Sequence, residues 1–395
     1  MVDQEVATKS PVLRGYRRPD GTFGVRNHLL ILSSVVCANR ATEMIAQAVP
    51  GAVAVTHQHG CSVIGPDMEM VRRTLAGTGK NPNCGAVLVL GLGCETIDAP
   101  GLAEEIATTG KPVDYVSIQE VGGTARAIEV GIEKARNMAE MLAAMEREPF
   151  SWDKLIFGTE CGGSDTTSGL ASNPVVGVAA DLVVQHGGTA ILSETPEIIG
   201  AEHLLAKRGR TPELSQAILD LIREVENRYL SMGVDFRGGN PSPGNIAGGL
   251  TTLEEKSLGA IHKGGTTPVN EVIGYACRPT QRGLVLMDTP GNDVESMTGM
   301  AAGGCQIMAF TTGRGTPTGN PICPVIKVTG NPETWNRMGG DMDLNASTII
   351  TGTETIEEVG ARLFQLIVEV VNGRLTKAES LGHREFGITR LGMSL

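Results

Sequence analysis

The chain has 395 residues, 41% of them apolar but only 3% aromatic, with 52 glycines and a formal charge of −11. This length predicts two or three domains with cores of Val, Ile, Leu, Ala and Met. An acidic balance without a Lys/Arg-dense run argues against nucleic acid or an anionic membrane as partner.

No apolar run reaches the ~20 residues of a membrane span, and the first residues hold no apolar signal region. A cytoplasmic location is therefore expected, where the eight cysteines read as thiols, metal ligands or catalytic groups before disulfides.

Residues 1–14 read as a flexible lead-in. LLILSSVV (29–36) is a continuous apolar run, the signature of a strand buried on both faces. AVAVTHQ (52–58), AVLVLGLG (86–93) and VDYVSIQE (113–120) read as further strands. Helical patterns lie between and after them at 68–77, 101–109 and 122–146. EREPFSWD (146–153) reads as a linker. The alternation then restarts with a strand at 154–160, a helix at 175–187 and a strand at 189–197. Helices are expected near 197–207 and 212–231, followed by a Gly/Pro-rich functional loop at 236–252. Strands at 283–289, 305–313 and 324–330 and a helix at 355–372 complete the pattern. Strands alternating with helices predict an α/β protein of two Rossmann-like, doubly wound units with mostly parallel sheets. The expected domains are 15–149 and 150–395.

In open α/β sheets, ligands bind at the carboxyl ends of the strands, and reactive residues crowd those ends. Cys37 follows the first strand, His59, Cys61 and Asp67 the second, and Cys94 and Glu95 the third. Cys161, Ser164 and Asp165 follow the strand at 154–160. Four strands ending in a cysteine point to a metal, because iron, zinc and iron–sulfur clusters take thiolate ligands. No CxxC spacing occurs, and a lone cysteine is also a small buried hydrophobe. Cys84, Cys277 and Cys323 are assigned to that plainer role, and Cys305 is left open.

Three further stretches carry chemistry. In NPSPGNIAGGLTTLEEKSLGAIHKGG (240–265), Asn245 lies in the glycine-rich turn. Lys256 is a candidate proton shuttle or carboxylate clamp, set against an ordinary charged first helical turn. In FTTGRGTPTGNP (310–321), Thr312, Arg314 and backbone amides suit an anionic group. In SETPEIIGAEHL (193–204), Glu194 and Glu197 can bind metal or abstract a proton, although the helix dipole alone favours an acid in a first turn. Arg26, just before the first strand, is a candidate carboxylate clamp.

Eight ordered motifs, GYRRPDGTFGVRNH, HGCSVIGPD, GLGCE, ECGGSDTTSGLASNP, SETPEIIGAE, SPGNIAGGLTTLEEKSLGAIHKGG, MDTPGND and FTTGRGTPTGNP, resemble the altronate/galactarate dehydratase family. That family also includes the large subunit of (R)-sulfolactate sulfo-lyase, and the resemblance runs from about residue 15 to the C-terminus. It implies a lyase acting on hydroxy acids with Fe2+, an iron–sulfur cluster or Mn2+. A proton leaves the carbon beside a carboxylate and hydroxide leaves its neighbour. Single-chain dehydratases of the family carry a further N-terminal domain. This chain therefore resembles a large subunit, expected to work with a small partner subunit in an oligomer.

The expected site has Cys37, Cys61, Cys94 and Cys161 around the metal. Asp165, Glu194, Lys256 and His59 would move protons, and Arg26, Ser164, Asn245, Thr312 and Arg314 would hold substrate. Cys61 and Cys94 favour the sugar-acid dehydratase over the sulfo-lyase. A dinucleotide oxidoreductase is disfavoured because no GxGxxG opens a first strand–helix turn with an acid about 20 residues on. A non-catalytic scaffold is disfavoured by the density of polar loop residues.

Overall fold

The computed structural model describes residues 10–392. Its strands are β1 (Leu13–Arg17), β2 (Phe23–Gly24), β3 (His28–Ser33), β4 (Ala52–Val55), β5 (Cys84–Gly91), β6 (Val113–Ser117), β7 (Glu148–Phe150), β8 (Ile156–Gly162), β9 (Thr189–Leu192), β10 (Val269–Ile273), β11 (Gly283–Met287), β12 (Ile307–Thr312), β13 (Val325–Thr329) and β14 (Leu344–Asn345). They form a four-stranded sheet in the order β4-β3-β5-β6, a seven-stranded sheet in the order β10-β11-β9-β8-β12-β13-β14 and a small sheet β2-β1-β7. The first two are parallel throughout and the third is antiparallel. The predicted α/β class with parallel sheets is what the structure has.

The apolar runs fold as strands because both faces are covered. Along β3, Leu29 and Ile31 pack with the helices Asn39–Ala48 and Thr124–Ala143. Leu30 and Leu32 point the other way, towards Val71 and Leu75 of the helix Pro66–Lys80. That second layer also takes in Met297 and Met300 of the helix Asp293–Ala302 and Met308 and Phe310 of β12. One continuous apolar layer thus joins the two parallel sheets. The opposite face of the large sheet packs on the helices Asn173–Gln185 and Ile356–Val371.

Several boundaries differ from expectation. The lead-in read at 1–14 lies mostly outside the described residues, but β1 begins at Leu13, which is fully buried. The stretch read as a linker at 146–153 contains β7, whose Phe150 pairs with Leu13. The strand read over 189–197 stops at Leu192, because Glu194 takes a left-handed backbone with φ 65°. The helix read over 197–207 is a 3-10 turn, Thr195–Ile198, and a short helix, Glu202–Ala206. Gly200, with φ 104°, separates them.

The order of the large sheet fixes where a ligand sits. From the central β8 the chain steps outward to β9 on one side, then returns to place β12 on the other. This switch point opens a crevice beyond the carboxyl ends of β8 and β12.

Candidate active site

The crevice is a cleft of about 350 Å3, and Cys161, Glu197, Lys256, Asp293 and Arg314 are among the residues that line it. Five segments converge on it: the end of β8, the turn after β9, the turn after β11, the loop after β12 and the stretch 240–265. Gly162 at the end of β8 leaves room for the Asp293 carboxylate, since a Cβ there would lie 2.3 Å from it and displace it.

Beneath the cleft is a buried group of charges. Glu160, Glu194 and Lys263 are all at most 1% exposed. Lys263 Nζ donates to the Glu194 carboxylate and, at 2.9 Å, to Cys161 Sγ. The Cys161 backbone amide donates to Glu194 Oε2 at 2.8 Å. Ser296 Oγ and Ser193 Oγ donate to Glu160 Oε2 at 2.6 and 3.1 Å, while Glu160 Oε1 is buried with no hydrogen-bond partner among the described residues. One carboxylate oxygen from each of Glu160, Glu194 and Asp293 lies within 4.8 Å of the others.

One ammonium does not neutralise three carboxylates, and the titration behaviour reflects this. Burial, then the charges of Glu194 and Asp293, push the Glu160 carboxyl well above its ordinary range. Burial, Glu194 and Glu197 push Asp293 up to about 7. Burial alone would lower the Lys263 ammonium, but Cys161, Glu194 and Glu160 reverse this and it is raised. Burial and the Glu194 charge raise the Cys161 thiol well above its usual value, so the sulfur keeps its proton and Glu194 balances Lys263. A divalent cation fits this excess of negative charge. Three carboxylates are hard oxygen donors of the kind Mg2+, Mn2+ and Fe2+ accept, and the unpartnered Glu160 oxygen is a free ligand atom.

The backbone at Glu194 is itself unusual. A left-handed conformation costs a non-glycine residue about 1–2 kcal/mol. Here the Glu194 amide donates to Thr289 Oγ1 at 2.6 Å, and that hydroxyl bonds Ser296 Oγ at 2.9 Å. The strain aims the carboxylate back at β8, the kind of local cost that persists at functional sites.

The walls of the cleft are polar. Lys256 Nζ donates to Glu197 Oε1 at 3.0 Å and to Asn240 Oδ1 at 3.1 Å. Burial raises the Glu197 carboxyl, and Lys256 partly offsets this. Asn245 Nδ2 donates to the Ser164 carbonyl at 3.0 Å, and its Oδ1 accepts from Ser242 Oγ at 2.8 Å. The exposed Arg314 donates to the Gly244 carbonyl at 3.0 Å, leaving other guanidinium donors towards the cleft.

Of the residues expected from sequence, the structure gathers Cys161, Ser164, Glu194, Lys256, Asn245 and Arg314. It does not bring the four cysteines together. Cys161 is buried inside β8, while Cys37, in the 3-10 turn Val36–Ala38, and Cys61 and Cys94, on loops, are exposed beyond strands of the smaller sheet. Asp165 Oδ1 accepts from Thr167 Oγ1 and the Ser168 amide at 2.7 and 3.0 Å, and its Oδ2 from Asn331 Nδ2 at 2.8 Å. Its carboxylate holds the loop in shape and does not line the cleft. Thr312 Oγ1 accepts the Gly315 amide at 3.0 Å behind the wall. His59 is under the C-terminal segment, with Nε2 3.3 Å from the Ile388 carbonyl.

Arg26 is an ion-pair residue of the interior. It holds both oxygens of Glu379 at 2.6 and 2.9 Å and donates to the carbonyls of Val25, Val370 and Arg374. Glu160, Lys263, Asp293, Asn240 and Ser242 were missed. A signal existed for Glu160, a carboxylate inside an otherwise apolar strand, since charges are almost never fully buried without a partner.

Residues 152–394 match the family model described as D-galactarate/Altronate dehydratase, C-terminal. Residues 15–143 match the model described as D-galactarate dehydratase/Altronate hydrolase, second domain. The chain is 38% identical to (2R)-sulfolactate sulfo-lyase subunit beta of Chromohalobacter salexigens, over 97% of this chain and 98% of that one. It is 34% identical to altronate dehydratase of Bacillus subtilis, over 98% of this chain and 80% of that one. To galactarate dehydratase (L-threo-forming) of Escherichia coli it is 38% identical, over 91% of this chain and 72% of that one.

Proposed function

The chain belongs to the D-galactarate/altronate dehydratase family of lyases, and from that premise we propose that it dehydrates a sugar acid to a 2-keto-3-deoxy acid. The observation that carries this reading is the composition of the cleft. Ser164, Asn240, Ser242 and Asn245 offer neutral hydrogen-bonding groups suited to a polyhydroxylated chain, and Arg314 adds a cationic group to the wall.

Arg314 holds the substrate carboxylate. Glu160, Glu194 and Asp293 would hold a divalent cation, Fe2+ or Mn2+, which when bound supplies charge stabilisation for the aci-carboxylate. Glu197, whose carboxyl burial raises above its ordinary value, takes the proton from the carbon beside the carboxylate. Lys256, 3.0 Å away, donates a proton to the departing hydroxyl. A raised carboxyl makes its carboxylate a stronger base than an exposed one. Lys263 and Cys161 fix the Glu194 carboxylate from behind.

We place the enzyme in the cytoplasm with a small partner subunit in an oligomer. Among the described residues no helix is long and apolar enough to cross a membrane, and the sulfo-lyase relative carries the name of a subunit. That relative also motivates the second reading, release of sulfite from (R)-sulfolactate. The test is to assay the purified chain, alone and with candidate small subunits, on altronate, galactarate and sulfolactate for 2-oxo product and sulfite. Turnover of a sugar acid without sulfite supports the dehydratase. Sulfite release with no sugar-acid turnover replaces it with the second reading.

A further inference from the structure

The helix Asp293–Ala302 begins at the cleft and ends, one helix length of about 15 Å away, at a second cavity. This cavity measures about 310 Å3, and Arg73, Lys80, Glu105, Cys277 and Arg278 are among the residues that line it. One side is the helix Pro66–Lys80, where Arg73, Gly77 and Lys80 share a face by their spacing of four and three. Gly77 lets that helix meet the end of Asp293–Ala302, since a Cβ there would lie 2.4 Å from the Ala302 carbonyl. The other side is the turn after β10, which carries Cys277 and Arg278.

In a chain of formal charge −11, this cavity is positive. Arg73 Nε donates to the Tyr275 carbonyl at 3.0 Å, which fixes the guanidinium and leaves its other donors unused. Among the described residues neither Arg73 nor Arg278 is paired with a carboxylate. Glu105 is already shared between Lys80, at 2.9 Å, and Arg72. Three helices, Pro66–Lys80, Ala99–Ala107 and Asp293–Ala302, end around the cavity, and cations can serve simply to meet the carbonyls of helix ends. Here other groups meet them. Lys111 Nζ donates to the carbonyls of Gly79 and Asn81, both at 2.9 Å. Asn81 Nδ2 donates to those of Ala301 and Cys305 at 2.7 and 2.8 Å, and Thr109 Oγ1 to that of Ile106 at 2.9 Å. Arg73 and Arg278 are surplus to that task.

We propose that this cavity binds a phosphoryl group, as free phosphate or on a small metabolite, between Arg73 and Arg278 with Lys80 at its edge. Guanidinium groups present paired donors that match the oxygens of phosphate. Arg73, Lys80 and Arg278 set against Glu105 leave an excess of two positive charges. A phosphoryl group carries about −1.5 to −2 at neutral pH and balances it, where a single carboxylate does not. A bound phosphoryl group ties the helix Pro66–Lys80 to the turn after β10. A ligand held only by the folded chain raises its stability. The site is separate from the cleft and independent of what the cleft turns over.

The test uses the full chain with inorganic phosphate, glycerol 3-phosphate and malonate at matched ionic strength, read by calorimetry and by the thermal unfolding midpoint. Phosphate or its ester should bind at one site per chain and raise the midpoint. Tighter binding of the ester identifies a metabolite-borne group, and equal binding identifies free phosphate. Arg73→Gln and Arg278→Gln should each weaken binding at least about tenfold while still unfolding cooperatively. Arg314→Gln, in the cleft, should bind as wild type does. Cys277, half-buried in the cavity wall, gives a readout that needs no variant. Its alkylation, followed by mass spectrometry, should slow several-fold with phosphate, while that of the exposed Cys37, Cys61 and Cys94 should not. No binding at millimolar phosphate or ester, malonate binding as tightly as phosphate, unweakened binding by Arg73→Gln and Arg278→Gln, or an unchanged rate at Cys277 overturns the proposal.

Discussion

Lys263 and Glu194 form an ion pair in which each side chain is only 1% exposed. Removing one partner of such a pair leaves an uncompensated buried charge and typically costs about 3–5 kcal/mol. Lys263→Met and Glu194→Gln should each lower the denaturant midpoint by an amount of that order. The double variant should recover much of the lost stability, because no unpaired charge remains, yet stay inactive. A double-mutant cycle on stability, with activity measured in parallel, separates the two roles.

Arg314 reaches the cleft from its wall, so its loss should weaken binding more than chemistry. Arg314→Gln is expected to raise KM by roughly 10- to 100-fold, the equivalent of a charged hydrogen bond of about 1.5–3 kcal/mol. The change in kcat should be small. Steady-state kinetics on the turned-over acid give the split.

Glu197 and Lys256 act on protons, so their loss should appear in kcat. A fall of about 10²- to 10⁴-fold is expected for Glu197→Gln and for Lys256→Met. Each variant should also lose one limb of the pH–rate profile. Unchanged kcat in either variant removes that residue from the proton transfers.

Arg26 belongs to the interior, and its replacement tests stability. Although burial raises the Glu379 carboxyl, the bond to Arg26 outweighs this and lowers it below its ordinary value. A carboxylate lowered in the folded state contributes stability that is present above about pH 4.5 and lost as pH falls through its folded value. Arg26→Met should lower the unfolding midpoint at neutral pH by the equivalent of about 3–5 kcal/mol. The difference from wild type should shrink below pH 4.5, and KM of the folded fraction should not change.

His57 gives a second pH signature. Its Nε2 donates to the Ser33 carbonyl at 2.9 Å and its Nδ1 accepts the His59 amide at 3.1 Å, so the ring is held neutral. Burial lowers its pKa to about 4. The unfolded chain then binds the extra proton first, and stability present above about pH 6.5 is lost as pH falls towards 4, by up to about 3 kcal/mol. The raised acids of the cleft act in the opposite sense, so the comparison is between slopes. His57→Gln should lose stability less steeply than wild type between pH 6.5 and 4.

The parts of the fold legible in the sequence were those set by local pattern. LLILSSVV and AVLVLGLG could only be strands covered on both faces, and they are β3 and β5. The antiparallel sheet was not legible, because β1 meets β7 across more than 130 residues and each is short. In the site, the reactive residues at the end of β8 pointed to the cleft edge of the large sheet and to Cys161, while Glu194 and Lys256 were legible as charged residues in the turns of 193–204 and 240–265. Lys263 was not, because it is buried by the packing of its turn against the helix Asn173–Gln185 and against β8 and β9, distant in sequence. Arg26 misled for the opposite reason. Its place before a strand suggested a clamp, but its partner, Glu379, is 353 residues away.

The carboxylate trio is the centre of the account, and metal binding tests it most directly. Chelator-treated protein is titrated with Mn2+ and followed by calorimetry and electron paramagnetic resonance. Wild-type protein should bind one Mn2+ per chain at this site and regain activity as it does so. Glu160→Gln and Asp293→Asn should bind at least about tenfold more weakly while unfolding with a cooperative transition like that of wild type. Full activity of the chelated enzyme, or equal Mn2+ binding by folded Glu160→Gln and Asp293→Asn, would contradict the assignment.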